Sequence, residues 1–167
     1  MNKAFFLLAV VGLFMTSCIK DSPVSASQNK TQLIARNWQM QTATVTVTST
    51  GLTLPVYTKG GTANLSDFSK YQLTLTSDGK FTLFDGAQSQ TGTWQLLNND
   101  TQMDWTFADN TKRTYTVNTA SATNLDLQYQ VLTTTQNPIE KGYLAQAQAL
   151  GQDISKGMTI STKLILQ

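Results

Sequence analysis

Hydrophobic and polar residues alternate along much of this chain, and the alternation is clearest over residues 71–96. One apolar residue at every second position is the period of a half-buried β-strand. Two such runs flank Asp78-Gly79, a dipeptide that favours a tight hairpin, so we predict a two-residue loop with both residues at positive φ. A polar turn then leads to a third strand at Trp94. Residues 71–96 therefore predict an antiparallel meander.

Similar strands are predicted on both sides of the meander. Residues 37–50 form a long β segment whose apolar phase changes, which predicts a bulge or bend at residues 42–44. Residues 52–57 form a short strand around Pro55, a residue that is tolerated at a sheet edge or a kink. Further strands are predicted at residues 103–107, 115–117, 125–131 and 158–166.

Two short helices are also predicted. Thr31 is a suitable N-cap for a helical turn over residues 31–35. Residues 139–150 favour a helix that ends at Gly151. The apolar face of this helix consists of Ile139, Tyr143, Ala147 and Leu150. We expect this helix to cover an open end of the sheet, and a lid or a partner-docking element are the alternatives.

Together these elements predict an all-β fold, an antiparallel up-and-down barrel of about eight to ten short strands. A short helical turn precedes the first strand, and one short helix precedes the last strand. Closure into a barrel also removes the exposed strand edges through which a Thr-rich sheet would aggregate. We assign the barrel to residues 31–167 as a single domain.

Composition excludes several classes of function. Lys and Arg number 12 against 10 Asp and Glu, so the net charge of +2 gives no basic surface for nucleic acid. The chain contains no His and a single Cys, Cys18, which excludes an intrachain disulfide and metal sites built from thiolates or imidazoles. Catalysis that depends on His is excluded for the same reason. We therefore expect no enzyme activity, no cofactor and no metal.

The first 17 residues have the pattern of a secretory signal peptide, with Lys3 followed by an apolar run and then small residues. Residues 15–18, Met-Thr-Ser-Cys, resemble the lipobox of bacterial lipoproteins. That resemblance implies that Cys18 becomes the first mature residue, carries acyl chains and anchors the protein to the outer membrane. The alternative is a plain signal peptide with an incidental Cys18. Residues 18–30 are polar and are predicted to form a flexible tether.

The domain that follows resembles the lipocalin-like lipoproteins of Bacteroidota over residues 31–166. The resemblance rests on Leu33-Ile34 with Trp38, on residues 73–81 (Leu-Thr-Leu-Thr-Ser-Asp-Gly-Lys-Phe) and on Gly92-Thr93-Trp94. Residues 19–21, Ile-Lys-Asp, resemble part of the surface-export signal of such lipoproteins, which leaves surface display and a periplasmic location both open. The family implies a small barrel with an internal cavity, and it implies no catalytic residues.

The inward-facing residues predict either a ligand cavity or a solid core, because a small barrel can be filled by its own side chains. The candidates for this role are Trp38, Tyr71, Leu73, Phe81, Trp94, Met103, Trp105, Tyr115 and Tyr129. Our interpretation is a lipid-anchored envelope protein that binds a small apolar or amphipathic ligand without catalysis. The alternative is a structural or interaction lipoprotein with a solid barrel, which docks another envelope protein through its outer surface.

Overall fold

The computed structural model describes residues 29–167, so the predicted signal peptide, Cys18 and the tether up to residue 28 lie outside the described residues. Two helices are present, α1 (Lys30–Ile34) and α2 (Pro138–Ala149). The nine strands are β1 (Asn37–Val47), β2 (Thr53–Thr58), β3 (Gln72–Leu75), β4 (Lys80–Phe84), β5 (Ser89–Leu97), β6 (Gln102–Phe107), β7 (Lys112–Ala120), β8 (Asn124–Val131) and β9 (Met158–Leu166). Helix α2 lies between the last two strands, as predicted.

Eight of the strands close an antiparallel up-and-down barrel. β1 and the strands from β3 to β9 pair with their neighbours in sequence order, and β9 pairs back to β1. The ninth strand, β2, continues the line of β3, since β1 pairs with β3 through Asn37–Gln39 and with β2 through Thr42–Thr46. Residues 59–71 are therefore an insertion in one interrupted strand. The predicted all-β barrel of about eight to ten strands is confirmed.

The phase change in β1 is produced by a β-bulge. The inward-facing positions change from Met40 to Ala43, because Gln41 is an extra residue in the register with β9. A second irregularity lies opposite on β2, where Val56 is the extra residue beside Tyr57 and both are buried. Such bulges increase the local twist and bend of a strand, which helps a sheet to close on itself. The predicted bend in the middle of this strand is confirmed.

The hairpin between β3 and β4 differs from the prediction. Leu75 and Phe81 form its last strand pair, and the Thr76 amide donates to the Lys80 carbonyl at 2.9 Å. Three residues remain in the loop, and only Gly79 among them has a positive φ, of 79°. The prediction of a two-residue loop with both residues at positive φ is therefore wrong. A three-residue loop ending in a left-handed Gly is the next most common way to join two antiparallel strands.

Helix α1 closes one end of the barrel. Its N-cap is Asn29, and the predicted cap at Thr31 is wrong. The Asn29 side chain accepts from the Gln32 amide at 2.9 Å, and the Gln32 side chain accepts from the Asn29 amide at 3.2 Å, which is a reciprocal capping box. Ile34 is fully buried, and its carbonyl accepts the indole N–H of Trp38 at 2.8 Å. The helical turn thus fixes the entry of the chain into β1.

Helix α2 spans the opposite end of the barrel. Its N-cap, Asn137, accepts from the amides of Ile139 and Glu140 at 2.9 and 3.2 Å. Ile139 and Leu150 are about half exposed, so the predicted apolar face is wrong at both ends. The face that is buried consists of Glu140, Tyr143, Leu144 and Ala147. An acidic residue therefore points towards the barrel from the first turn of this helix.

Candidate ligand-binding cavity

The half of the barrel next to α2 contains a cavity of about 830 Å³ that opens to solvent. Its apolar wall includes Met40, Val45, Leu83, Leu127 and Ile160. A volume of roughly 300–1,000 Å³ is usual for small-molecule sites, so the space suits a ligand of moderate size. The half next to α1 is packed with large side chains. The barrel is therefore solid at one end and hollow at the other.

The inward residues of β1 show why the cavity forms where it does. Trp38 fills the barrel near α1 and Met40 lies at the boundary of the cavity, whereas the smaller Ala43 and Val45 occupy the inward positions near α2. Smaller side chains leave space that the neighbouring strands do not refill, because the strand positions are fixed by their hydrogen-bond ladders. The cavity is thus encoded in the decreasing size of inward side chains along one strand.

The nine residues predicted to line a cavity or to form the core divide between the two halves of the barrel. Those that line the cavity are Tyr71, Trp105, Tyr115 and Tyr129. Those buried in the packed region outside the cavity wall are Trp38, Leu73, Phe81, Trp94 and Met103. Phe81 stacks on Trp105 with 4.6 Å between ring centroids, so it supports the cavity from behind.

A buried ion pair lies in the cavity wall. The Arg113 guanidinium donates from Nη2 to Glu140 Oε1 at 2.6 Å, and the two side chains are 27% and 6% exposed. Glu140 Oε1 also accepts from the Tyr129 hydroxyl at 3.1 Å, and Oε2 accepts from the Thr135 hydroxyl at 2.5 Å. Three donors therefore satisfy the carboxylate, which is the condition under which a buried charge is tolerated.

The guanidinium of Arg113 is held by aromatic rings as well as by Glu140. Its central carbon lies 4.4 Å from the centroid of the Tyr129 ring and 5.9 Å from that of Phe107, both within cation–π range. Burial disfavours the charged guanidinium, but the oxygens of Tyr115, Tyr129 and Glu140 outweigh this effect and raise the pKa of Arg113. Arg113 is therefore a fixed positive group on the wall.

Four tyrosines line the same cavity, namely Tyr71, Tyr115, Tyr129 and Tyr143. Burial raises the pKa of each of them above the ordinary tyrosine value. Their hydroxyls therefore stay neutral at physiological pH and can donate or accept hydrogen bonds. The Tyr143 hydroxyl lies 2.7 Å from Ser66 Oγ, which ties α2 to the insertion at residues 59–71.

The other charged residues of the cavity lie at its rim. Asp85 accepts from the backbone amides of Ala87 and Gln88 at 2.9 and 2.8 Å, so its carboxylate serves its own loop. Asp109 likewise accepts from the Thr111 amide at 2.9 Å. Lys112 is exposed. Charged groups in the interior of the cavity are thus confined to the Arg113–Glu140 pair within residues 29–167.

The barrel wall beside this pair lacks a strand ladder. β7 pairs with β8 only from Thr116 opposite Gln128 towards the α1 end, and Arg113 and Tyr129 lie beyond the last of these pairs. A shallow groove runs along the outside of the wall at this point, and both of these side chains contact it. The cation–π contact between them therefore closes a section of wall that backbone hydrogen bonds leave open.

Sequence reasoning did not find Arg113 or Glu140. Arg113 lies two residues before Tyr115, so the strand period places it on the inward phase. Glu140 lies three residues before Tyr143, so the helical period places it on the buried face. Both signals were present in the periodicity. They were missed because charged residues are usually solvated, and the pattern did not show that the two compensate each other's charge.

The chain matches no protein-family model, and no curated protein is significantly similar to it. The fold and the cavity define the class, a closed antiparallel β-barrel whose interior has room for a small molecule, and this architecture is consistent with a lipocalin-like fold. Neither helix of the described part is long and apolar enough to cross a membrane. No cluster of three or more potential metal-ligating side chains occurs within residues 29–167.

Proposed function

We propose that this protein is a lipid-anchored, lipocalin-like protein of the bacterial cell envelope that binds a small apolar or amphipathic molecule without catalysis. The observation that supports it best is the cavity of about 830 Å³, whose lining combines apolar side chains with polar ones and contains the Arg113–Glu140 pair. Apolar surface together with placed polar groups is typical of sites that bind and orient a ligand.

The membrane anchor is proposed from the sequence. Cys18 follows an apolar signal segment and is the only thiol of the chain. Its acylation would hold the protein at the outer membrane, with residues 19–28 between the lipid and the capping box of α1. The proposed partners are thus the membrane and a small ligand, and no nucleic acid is expected, because the net charge is only +2.

The binding proposal is tested by filling the cavity. Ala43 faces inward, is 3% exposed and lines the cavity, so Ala43→Phe places a ring where the ligand would lie. We expect binding of Nile red, a neutral hydrophobic dye, to weaken at least tenfold. Ala145→Phe adds the same ring on the exposed face of α2 and is expected to leave dye binding unchanged.

Near-ultraviolet circular dichroism would show that each variant keeps its packed core. Val45→Leu is a milder substitution in the same wall and serves if the larger ring prevents folding. Equal dye binding by the wild type, Ala43→Phe and Ala145→Phe would contradict binding inside the barrel. Native mass spectrometry of the purified protein adds a second measurement, since a retained small molecule appears as a defined mass increase.

The second candidate function is docking of another envelope protein through the outer surface. One observation favours it: Leu65, Leu132 and Leu150 are 50–57% exposed, and they lie on the insertion, on the segment after β8 and at the C-cap of α2. Photo-crosslinking in cells from position 150 would test it, with the exposed position 95 on β5 as the control. A product of defined mass from position 150 alone would support docking.

A further inference from the structure

We propose that the cavity selects uncharged molecules that carry one hydrogen-bond-accepting group, such as a carbonyl, and disfavours carboxylates of the same shape. This inference rests on the proposed binding function and specifies the class of ligand. It is carried by the placement of Arg113 and Glu140 in the cavity wall, 2.6 Å apart.

The charge of Arg113 is already compensated. A ligand carboxylate that bound the guanidinium would also lie close to the Glu140 carboxylate, because both would share one cation. Attraction to Arg113 and repulsion from Glu140 then nearly cancel, since both act over similar short distances in the same medium. The ligand would still lose its hydration on entering the cavity, and that loss is large for an ionised group.

No second cation is placed to offset this cost in the described barrel. Lys112 lines the cavity but is exposed at the rim. The remaining charged lining residues, Asp85 and Asp109, are acidic. The lining thus has two cations and three anions, so the cavity as a whole does not attract an anion. An uncharged ligand avoids both the desolvation cost and the repulsion.

At the ion pair itself, the hydrogen-bonding capacity that remains available belongs to the donor, Arg113. Glu140, the acceptor of the pair, is only 5% exposed and already receives hydrogen bonds from three groups. The Arg113 side chain is 27% exposed, and its hydrogen bond to Glu140 uses Nη2. A guanidinium has five N–H donors, so a neutral acceptor can bind it with a charge-assisted hydrogen bond. Tyr71 and Tyr115 add neutral hydroxyls nearby.

The body of the ligand is expected to be apolar. Trp105 and Phe107 line the cavity next to Arg113, and Leu83, Leu127 and Ile160 extend the apolar wall. A molecule with one polar end would therefore place its acceptor at Arg113 and its apolar part against these side chains.

The test compares two probes of equal length on the purified protein. Decanamide and decanoate would each displace Nile red at pH 8, below the concentration at which decanoate forms micelles. We expect the dissociation constant of decanamide to be at least tenfold lower than that of decanoate. Equal or tighter binding of decanoate would overturn the inference while leaving the proposed binding function intact. If neither probe displaces bound Nile red, the inference is overturned as well, whereas failure of Nile red itself to bind would contradict the proposed function.

A charge substitution tests the mechanism. Glu140→Gln keeps the size of the side chain and removes its negative charge, so the guanidinium is no longer compensated. The preference for decanamide over decanoate should then fall at least tenfold. Asp104→Asn removes the same charge from a side chain outside the cavity, where Asp104 accepts from the Thr114 hydroxyl, and should leave the preference unchanged.

An equal effect of both variants on this preference, or no effect of either, would overturn the inference. Should Glu140→Gln fail to fold, the preference of the wild type decides the question alone.

Discussion

Glu140 illustrates how one charged residue can be accommodated in an apolar barrel. It is the one charged residue that is buried among residues 29–167. Removing a carboxylate from water costs several kcal/mol even after the protein relaxes, and an ion pair at about 4 Å returns on the order of 4 kcal/mol near a protein surface. The hydroxyls of Tyr129 and Thr135 and the amino-terminal end of α2 add to that compensation. The desolvation cost of the Glu140 carboxylate is thus compensated only when Arg113 is present.

This balance predicts an asymmetric response to mutation. Arg113→Met leaves the Glu140 carboxylate buried without its cation. Breaking a fully buried pair costs about 3–5 kcal/mol, and the 27% exposure of Arg113 reduces our expectation to about 2–3 kcal/mol. The double variant Arg113→Met with Glu140→Leu should recover most of this loss. Urea unfolding of the wild type, both single variants and the double variant measures the coupling, and additive losses would contradict it.

Residue-level prediction from the sequence depends on whether a residue's environment is local. The inward phase of β7 and β8 placed Tyr115 and Tyr129 correctly, because alternation along one strand is enough to assign a side. The same alternation places Arg113 on the inward phase, but its ion pair was not predictable, since its partner is 27 residues away on α2. Which inward residues line the cavity also depends on neighbouring strands, so lining residues could not be distinguished from core residues by alternation alone.

At the scale of elements, strand existence and strand irregularity were both visible in the sequence. The phase change in β1 predicted its bulge. Trp38 and Met40 lie on one phase and Val45 and Val47 on the other, so a regular strand with one buried face could not bury all four. The length of the loop after β3 was predicted one residue too short. Asp-Gly is compatible with a two-residue loop and with a three-residue loop ending in Gly, and the strand register decides between them. That register is set by the whole sheet.

The junction between α2 and β9 gives a test at this scale. Gly157 is buried, has a φ of 71°, and a Cβ there would lie well inside contact distance of the Val131 carbonyl oxygen. Gly157→Ala should therefore cost about 3 kcal/mol or more, of which about 1–2 kcal/mol is the left-handed backbone alone. Gly60 has a φ of 77° and open space around it, so Gly60→Ala should cost only the backbone part.

Urea unfolding of the two Gly variants separates the contributions. Equal losses of unfolding free energy in the two variants would mean that the clash at Gly157 is relieved at little cost by movement of β9. In that case the start of β9 would be more adaptable than its nine register pairs with β1 and its eight with β8 indicate. A larger loss at Gly157 would instead show that this corner fixes how the chain returns from α2 into the barrel wall.

At the scale of the molecule, the barrel combines two requirements in one sheet. The α1 half is closed by the capping box, Ile34 and Trp38, and it supplies the packed core on which stability depends. The α2 half has smaller inward residues on β1, an interrupted strand at residues 59–71 and a section of wall without a ladder between β7 and β8. Rigid packing at one end therefore leaves the other end free to hold a ligand.

The proposed location of the whole molecule is tested at Cys18. One acyl chain gives only marginal membrane binding, whereas each further buried methylene adds about 0.8 kcal/mol, so several chains on one residue would anchor the barrel firmly. Cys18→Ser removes the acceptor thiol and should move the protein from the membrane fraction to the soluble fraction. Ser22→Ala changes a hydroxyl nearby and should leave the protein in the membrane fraction.

Mass spectrometry of the amino-terminal peptide provides the direct measurement, since acylation adds the mass of the lipid to Cys18. A Cys18→Ser variant that still fractionates with membranes would contradict the anchor.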